Sequence, residues 1–422
     1  MLSARGLYTL MLRLAVPLVL VRLWWRGLRE PGYRAHLGER FGRYDKRPSR
    51  SVIWVHAVSV GEVRAAAPLV QALLRRYPDH SVLMTCMTAA GRDTVDQVYG
   101  ASVLRAFLPY DLPGAMRRFL THFRPRLGIM METEVWPNML AACREQGVPV
   151  MLANARMSRQ SARGYRRFAA LTRPAFASFA AICAQDRTAA RRLRALGARR
   201  AAIAGNLKFD VQADPVKTEE GRALMAALRG RQVLLLASTR EGEEQMLLDA
   251  LGEKDDGTLI VVVPRHQQRF GDVAALLAAR SLTVARRSLG EAPHAGRRVL
   301  LGDTMGEMSF YYALSTVAII GGSFKPLGGQ NLIEACAAGV PVIVGPHMFN
   351  FAEATRWAVK AGAAIQVADP TEGIRAARDL LASPEWRARM ALAGLRLCAA
   401  HRGATEHHLG VVRALLRAPA PR

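Results

Sequence analysis

The chain of 422 residues lacks most of the short signatures that mark enzymes and disulfide frameworks. Its five cysteines, Cys86, Cys143, Cys183, Cys336 and Cys398, are scattered, odd in number and form no CxxC pair. That pattern excludes a disulfide framework and a zinc site of ordinary spacing, and a reducing cytoplasm is the simpler home. There is no DxD triplet and no histidine cluster at metal spacing, which argues against a transferase that grips a diphosphate through a divalent ion and against a two-metal hydrolase. Neither a GxSxG elbow nor a GxxxxGK[ST] loop occurs. No metal and no cofactor are expected. Acidic residues are scarce too: 34 face 59 basic ones, a net charge of +25, so the chain is drawn to polyanions such as nucleic acid, an anionic membrane face or a phosphorylated substrate. Part of the arginine excess is what a GC-rich genome also produces. The remaining composition, 50% apolar and 22% charged, is globular, and the length calls for two domains, each with its own core.

A long apolar run occurs once, at residues 7–25 (LYTLMLRLAVPLVLVRLWW), where Arg13, Pro17 and Arg22 interrupt it. A spanning helix needs about 20 mostly apolar residues, and no small-residue cleavage site follows. The run therefore reads as a membrane anchor, embedded or marginally spanning, with Trp24 and Trp25 at the interface. Arg26, Arg29, Arg34, Arg40 and Arg43 would hold the following chain on the cytoplasmic side. The competing reading is a helix packed on the protein's own surface.

From residue 51 the pattern alternates strand and helix. Strands are expected at 52–55, 82–85, 127–131, 148–152 and 181–183, with helices at 63–75 and 88–99. Residues 205–215 (GNLKFDVQADP) read as a linker. A second series follows, with strands at 233–237, 259–263, 282–285, 299–301, 317–320, 340–344 and 364–367. The expectation is an α/β protein of two Rossmann-like halves with mostly parallel sheets and ligands at the carboxyl ends of the strands, in a cleft between the halves. The expected divisions are an anchor at 1–30, a first domain at 31–210, a second at 211–383, and C-terminal helices at 384–422 packing across both.

The stretch AIIGGSFKPLGGQNLIEACAAGVPVIVGP (318–346) is the strongest local signal. It reads as a strand, a glycine loop, a helix at 332–338 closed by Gly339, and a second strand. Gly328 and Gly329 would let backbone amides approach a ligand, and Asn331 can cap the helix, whose N-terminus suits a phosphate. Glu334, one turn in, could accept bonds from a ribose diol, or Asn331 and Glu334 form only a variant of the capping box. In the first half, Gly61 and Glu62 open a helix after a strand, so Glu62 is either a general base or a first-turn glutamate favoured by the helix dipole. Glu132 and Glu134, on what reads as an extended segment, point the same way and could either bind a metal as a pair or form a plain solvated rim. Lys208 lies in the linker beside Asp210, as a substrate-binding cation or as a surface pair. Twelve arginines and one acid, Asp186, occupy residues 156–200. Arg159, Arg163, Arg166 and Arg167 share a helical face, for an anionic lipid or acceptor phosphate, or merely solvated. In the second half Pro264, Arg265 and His266 end a strand, and Gly306, Glu307 and Met308 open a helix that can bind a base or phosphate.

The order of these segments is more specific than any one of them. HAVSVGEV (56–63), METEVWPN (131–138), NARMSRQS (154–161), GNLKFD (205–210), PRH (264–266), GDTMGEM (302–308), GGSF (321–324) and GGQNLIEACAAGVPVIVGPHMFNF (328–351) span nearly the whole chain. In this the chain resembles the 3-deoxy-D-manno-octulosonic acid (Kdo) transferases of lipopolysaccharide synthesis, glycosyltransferase family 30. The resemblance implies a GT-B fold and an inverting, metal-independent transfer of Kdo from CMP-Kdo to lipid A precursor at the cytoplasmic face of the inner membrane. It implies Glu62 as the base, Glu132 and Lys208 as supports of the transition state, and CMP held by Pro264, Arg265, Gly306, Glu307, Met308, Asn331, Leu332, Ile333 and Glu334. The partners implied are CMP-Kdo, the lipid A precursor and an anionic membrane surface, with no nucleic acid. Taken alone, the residues locate an anionic nucleotide in the second half without choosing CMP or Kdo. Two alternatives stay open: another GT-B enzyme using a UDP-sugar, such as a lipid A disaccharide synthase or an epimerase, and a non-enzymatic, membrane-attached polyanion-binding protein.

Overall fold

The computed structural model describes residues 3–45, 47–252, 256–294 and 296–418. Met1 and Leu2 of the expected anchor and residues 419–422 of the expected C-terminal helices lie outside the described residues. The chain divides into two compact units: one runs to Val211 and takes up the chain again from Arg402, the other is Gln212–His401.

The first unit opens with helix α1 (Ala4–Arg29) and carries β1 (Ser51–His56), β2 (His80–Cys86), β3 (Leu104–Phe107), β4 (Pro125–Met131), β5 (Val150–Ala155), β6 (Ala181–Ala184) and β7 (Ala201–Ile203). Between the strands run α2 (Val60–Ala65), α3 (Ala67–Arg76), α4 (Ala89–Tyr99), α5 (Pro113–Phe123), α6 (Pro137–Glu145), α7 (Arg159–Arg167), α8 (Ala169–Ala177) and α9 (Arg187–Ala195). The seven strands form one sheet in the order β3-β2-β1-β4-β5-β6-β7, parallel at every pairing. Alternate residues of β1 supply both faces. Val52 and Trp54 enter one core, Ile53 and Val55 the other, so the strand reads as a continuous apolar run.

The second unit begins with α10 (Pro215–Ala227). It builds a second parallel sheet from β8 (Val233–Thr239), β9 (Leu259–Pro264), β10 (Val284–Arg286), β11 (Val299–Leu301), β12 (Val317–Ile320), β13 (Val342–Val344) and β14 (Ala364–Gln366), ordered β10-β11-β9-β8-β12-β13-β14. Its further helices are α11 (Glu243–Leu251), α12 (Phe270–Ala279), α13 (Met308–Leu314), α14 (Ile333–Ala337), α15 (Ala352–Lys360), α16 (Pro370–Ala382) and α17 (Pro384–His401). The last helix, α18 (Ala404–Arg417), belongs to the first unit. The expected α/β class with two Rossmann-like parallel sheets is the observed one.

All seven strands expected in the second half are present. In the first half β3 and β7 went unread, and these are the two sheet edges. Half their pattern is solvated: Leu104 and Ile203 are exposed, and the sequences LRAF and AAI lack the branched run that marks a strand covered on both faces. The helix expected at 63–75 is two helices. Pro68 has no N–H and would crowd the carbonyl of Arg64, so α2 stops at Ala65 and α3 starts with Pro68 in its first turn. The helix expected at 332–338 is only five residues long. The expected linker is no free tether, since residues 207–210 form a 3-10 turn with Leu207 and Phe209 buried in the first unit.

Helix α1 is long and apolar enough to cross a bilayer by length and composition, and almost none of its apolar stretch is buried. It nevertheless touches the first unit along its length. Arg5 pairs with Glu145 at 3.6 Å, the Tyr8 hydroxyl donates to Asp111 Oδ2 at 3.0 Å, and Leu23 is buried with Tyr33 and Ala89. Leu7, Met11, Leu14, Leu18 and Val21 form an outward apolar row, Leu18 being 74% exposed.

Candidate functional site

Parallel pairing brings the carboxyl ends of neighbouring strands to one sheet edge, and in the first unit β1, β4 and β5 are consecutive. Glu62 follows β1 on the short α2, where its Oε2 accepts the Val58 N–H at 2.7 Å. Burial raises its carboxyl to about 8. The charge of Glu132 pushes the same way, with the Val58 bond and Arg156 only partly opposing. Glu132 follows β4. The structure corrects the extended segment expected here: Glu132 and Thr133 form a turn, and Glu132 holds φ of +55°, a conformation a non-glycine residue pays for. That turn aims the 6%-exposed Glu132 carboxylate between two cations, Arg156 Nε at 2.7 Å and Lys208 Nζ at 3.5 Å. Glu134 accepts from Trp136 Nε1 at 2.6 Å, and burial raises its carboxyl as well.

Lys208 therefore faces Glu132. Asp210 is engaged elsewhere, accepting the backbone N–H groups of Gly403 and Thr405 at the start of α18. Glu62, Glu132 and Lys208, far apart in sequence, form one cluster.

Four members escaped the sequence reading. Arg156 was counted only as part of a basic run. His56 ends β1 fully buried, its Nδ1 against the Thr85 carbonyl at 3.0 Å and hydroxyl at 2.9 Å, and burial lowers its pKa to about 3, so the ring is neutral. Its edge meets Trp136, with 5.8 Å between centroids. Asn154, on β5 with φ of +51°, accepts the Leu207 N–H on Oδ1 at 3.1 Å and so sets the turn that carries Lys208. The Asn154 N–H donates to His408 Nε2 at 2.9 Å, and His408 Nδ1 faces the Ala404 carbonyl at 2.6 Å. Burial lowers the His408 pKa to about 4, keeping the acceptor nitrogen free of a proton. His408 is 254 residues from Asn154 and carries no local signal.

In the second unit the ends of β9, β8 and β12 are adjacent. Pro264 closes β9, and Arg265 Nε donates to Gln330 Oε1 at 3.2 Å, which places the guanidinium beside the glycine loop. Glu243, fully buried at the start of α11, accepts the N–H groups of Arg240 and Phe324, both at 2.9 Å, and that of Gly322. Its neighbour Glu244, also fully buried, accepts the Thr239 hydroxyl at 2.7 Å and both arms of Arg269. Glu243 pins the glycine loop while Glu244 ties Arg269 to the end of β8, and the sequence singles out neither.

Gly328 and Gly329 have φ of +91° and +74°, and a Cβ on either would strike the 348–350 loop. Loop packing is thus a further reason for glycine at both positions, beside the ligand approach expected from the sequence. Asn331 Oδ1 accepts the Ile333 N–H at 3.1 Å and its Nδ2 donates to Glu334 at 2.8 Å, the capping arrangement. Leu332 and Ile333 are buried behind it. Gly306, at φ of +84°, precedes Glu307 at the mouth of α13, and Met308 Sδ lies 3.9 Å from the Ser238 hydroxyl. Burial would raise the Glu307 carboxyl, but bonds from Arg287, Thr304 and Lys217 outweigh it and hold the group at about 2. Its carboxylate is thus already paired with Lys217 and Arg287. Among the described residues, no three His, Cys, Asp or Glu side chains are grouped to hold a metal ion.

Residues 35–211 match the family model described as 3-deoxy-D-manno-octulosonic-acid transferase (kdotransferase). The chain is 48% identical to the 3-deoxy-D-manno-octulosonic acid transferase of Bordetella pertussis, over 96% of this chain and 98% of that one. It is 36% identical to the Haemophilus influenzae protein of the same name, over 98% and 99%. Among solved structures it resembles the UDP-GlcNAc 2-epimerase of Neisseria meningitidis bound to UDP-GlcNAc, with a TM-score of 0.58 and 17% identity, covering 87% of this chain and all of that one. That likeness, and a similar one to a UDP-N-acetylglucosamine 2-epimerase of Listeria monocytogenes at a TM-score of 0.57, is one of fold, the GT-B arrangement of two Rossmann-like domains.

Proposed function

The chain belongs to the 3-deoxy-D-manno-octulosonic acid transferase family, and from that premise we propose that it moves Kdo from CMP-Kdo to a lipid A precursor by inverting displacement. The observation that carries the mechanism is Glu62, a carboxyl lifted to about 8 beside a charge-paired Glu132. The ionised fraction of such a carboxyl is a stronger base than an exposed glutamate and can take the proton of an acceptor hydroxyl as that oxygen attacks the anomeric carbon of Kdo, so the rate should rise with pH toward about 8. Glu132 holds Lys208 and Arg156 in place, and these cations balance the negative charge that donor, acceptor and base bring together. Lys208 and Glu132 thereby support the transition state.

The leaving group is a nucleoside monophosphate, which Arg265 can stabilise as a fixed cation. In this reading Pro264, Arg265, the Gly306 to Met308 backbone and the segment Asn331, Leu332, Ile333 and Glu334 hold CMP, and no metal takes part. The acceptor is an anionic glycolipid. The exposed apolar row of α1 and the net charge of +25 support attachment at the cytoplasmic face of the inner membrane.

The test is transfer from CMP-Kdo to a tetraacylated lipid A precursor in the presence of EDTA, with wild type and Glu62→Gln both shown to be folded. CMP and a Kdo-lipid are expected from wild type, with a loss of roughly a hundredfold or more in the mutant and retained CMP binding. Heat protection by UDP and not by CMP would instead favour a UDP-sugar enzyme, and equal activity in the mutant would remove Glu62 as the base.

A further inference from the structure

Most of helix α1 is solvated, including Leu10, Leu20, Trp24 and Trp25 beside its outward row. The opposite stripe, Leu12, Ala15, Val16 and Val19 at helical spacing, is half-buried and forms one wall of a groove of about 300 Å³. The facing wall is Tyr110, Leu112, Val135 and Trp136. The polar groups at this site are already engaged. Asp111, only 3% exposed, accepts the Tyr8 hydroxyl at 3.0 Å and the first N–H groups of α6, from Asn138 at 3.1 Å and Met139 at 2.7 Å. That bonded pair closes one end of the groove, and the Leu23, Tyr33 and Ala89 cluster flanks the other, with Val19 and Tyr110 packed against it. What remains open is a mainly apolar channel, which suits a hydrocarbon chain better than a sugar or a phosphate.

One wall residue, Trp136, links the groove to the carboxylate cluster. Trp136 forms its wall, donates to Glu134 and lies edge-on to His56, while the charge of Glu134 acts on Glu62. A ligand whose hydroxyl reaches Glu62 and whose remainder is apolar would find the groove one side chain away. The outward row of α1 lies on the opposite face of the same helix, where it is open to a bilayer.

We propose that this groove between α1 and the loops at 110–112 and 135–136 is an acyl-chain site, in which one fatty chain of the glycolipid acceptor lies while its sugar is presented to Glu62. The inference rests on the Kdo-transfer reading and adds to it a specificity element. It makes α1 part of the acceptor site as well as an attachment.

The experiment compares two acceptors in detergent micelles, a tetraacylated lipid A precursor and the same disaccharide bisphosphate stripped of its acyl chains. Val16→Trp fills the groove from one wall and Leu112→Trp from the other, so failure of one to fold leaves the second. Leu14→Trp, on the outward row, is the control. With the acylated acceptor, KM is expected to rise roughly tenfold or more in either groove variant, with kcat little changed, because several methylenes lose their buried contact. With the deacylated acceptor, kcat/KM should stay within about twofold of wild type, and Leu14→Trp should behave as wild type with both. Equal losses with both acceptors, or no change with either, would overturn the proposal. So would a groove variant that binds phospholipid vesicles less well but keeps its KM for the micellar acylated acceptor, since the groove would then take bilayer lipid. Wild type that transfers to neither acceptor would overturn the Kdo-transfer reading, and the assignment of the occupant with it.

Discussion

Glu62 shows how much of a side chain's proton affinity belongs to its neighbours. Its side chain is an ordinary first-turn glutamate by sequence, and burial with Glu132 nearby raises it to about 8. This has a consequence for stability as well as rate. The folded carboxyl keeps its proton to about 8 while the unfolded one loses it near 4.5, so between those values the folded state binds more protons. The stability that the protonated form contributes is complete below about 4.5 and is lost as pH rises through about 8. Glu62→Gln imitates the protonated form at every pH. Its melting temperature should therefore pull ahead of wild type by a few degrees between pH 5 and pH 8 and hold a constant lead above that, at about 2–4 °C per kcal/mol for units of this size. Scanning fluorimetry across that range checks it, and a gap that does not change with pH would mean that the carboxyl is not raised. Glu132 and Asn154 carry the other cost at this scale. Both hold positive φ at adjacent strand ends, and the strain aims one carboxylate at Lys208 and one amide at the turn that carries it.

At the scale of elements, short pieces held by side chains replace the long regular ones that periodicity suggests. Helix α14 has five residues and the loop before it is anchored from β8 and α11, through Glu243 to Gly322 and Phe324. Gly321 has no room for a side chain, since a Cβ would come within 2.5 Å of the Thr239 Cα. Glu243→Gln puts an N–H donor where the backbone already points N–H groups. It should destabilise the second unit by about 2–4 kcal/mol, because hydrogen bonds to a charged acceptor contribute about 1.5–3 kcal/mol and buried donors are left unpaired. Urea unfolding with and without CMP measures this, and a change below 1 kcal/mol would show that the carboxylate does not hold the loop. The strands missed at this scale were the edges β3 and β7. An edge strand needs only one neighbour and tolerates exposed positions, so its sequence is free to lose the apolar run.

At the scale of the whole molecule, the proposed membrane attachment would draw on both charge and α1. A net charge of +25 would attract an anionic bilayer through a field that salt screens, whereas the outward row of α1 would partition by apolar area that salt does not weaken. Replacing Leu14, Leu18 and Val21 together by glutamine should cut co-sedimentation with anionic vesicles by roughly tenfold or more at high salt, at up to about 1.5–3 kcal/mol per side chain removed from lipid. The loss at low salt should be smaller. The circular dichroism spectrum should be unchanged, because these side chains are exposed. Persistent high-salt binding in the triple variant would show that this row does not enter the membrane.

Local pattern was enough for the fold class and most of its strands, for the order of the motifs, for the basic balance and for the choice of Glu62, Glu132 and Lys208 as candidates, because hydrophobic alternation and charge are properties of neighbouring residues along a chain. Only the tertiary structure decided what those candidates meet. Lys208 faces Glu132 and not Asp210, Glu307 is spent on Lys217 and Arg287, and His408 returns from the far end of the chain to hold Asn154. The groove along α1 exists because loops distant in sequence close its second wall. Desolvation, ion pairing and cavity shape depend on which atoms surround a group once the sheet has assembled, and no window of sequence contains those atoms.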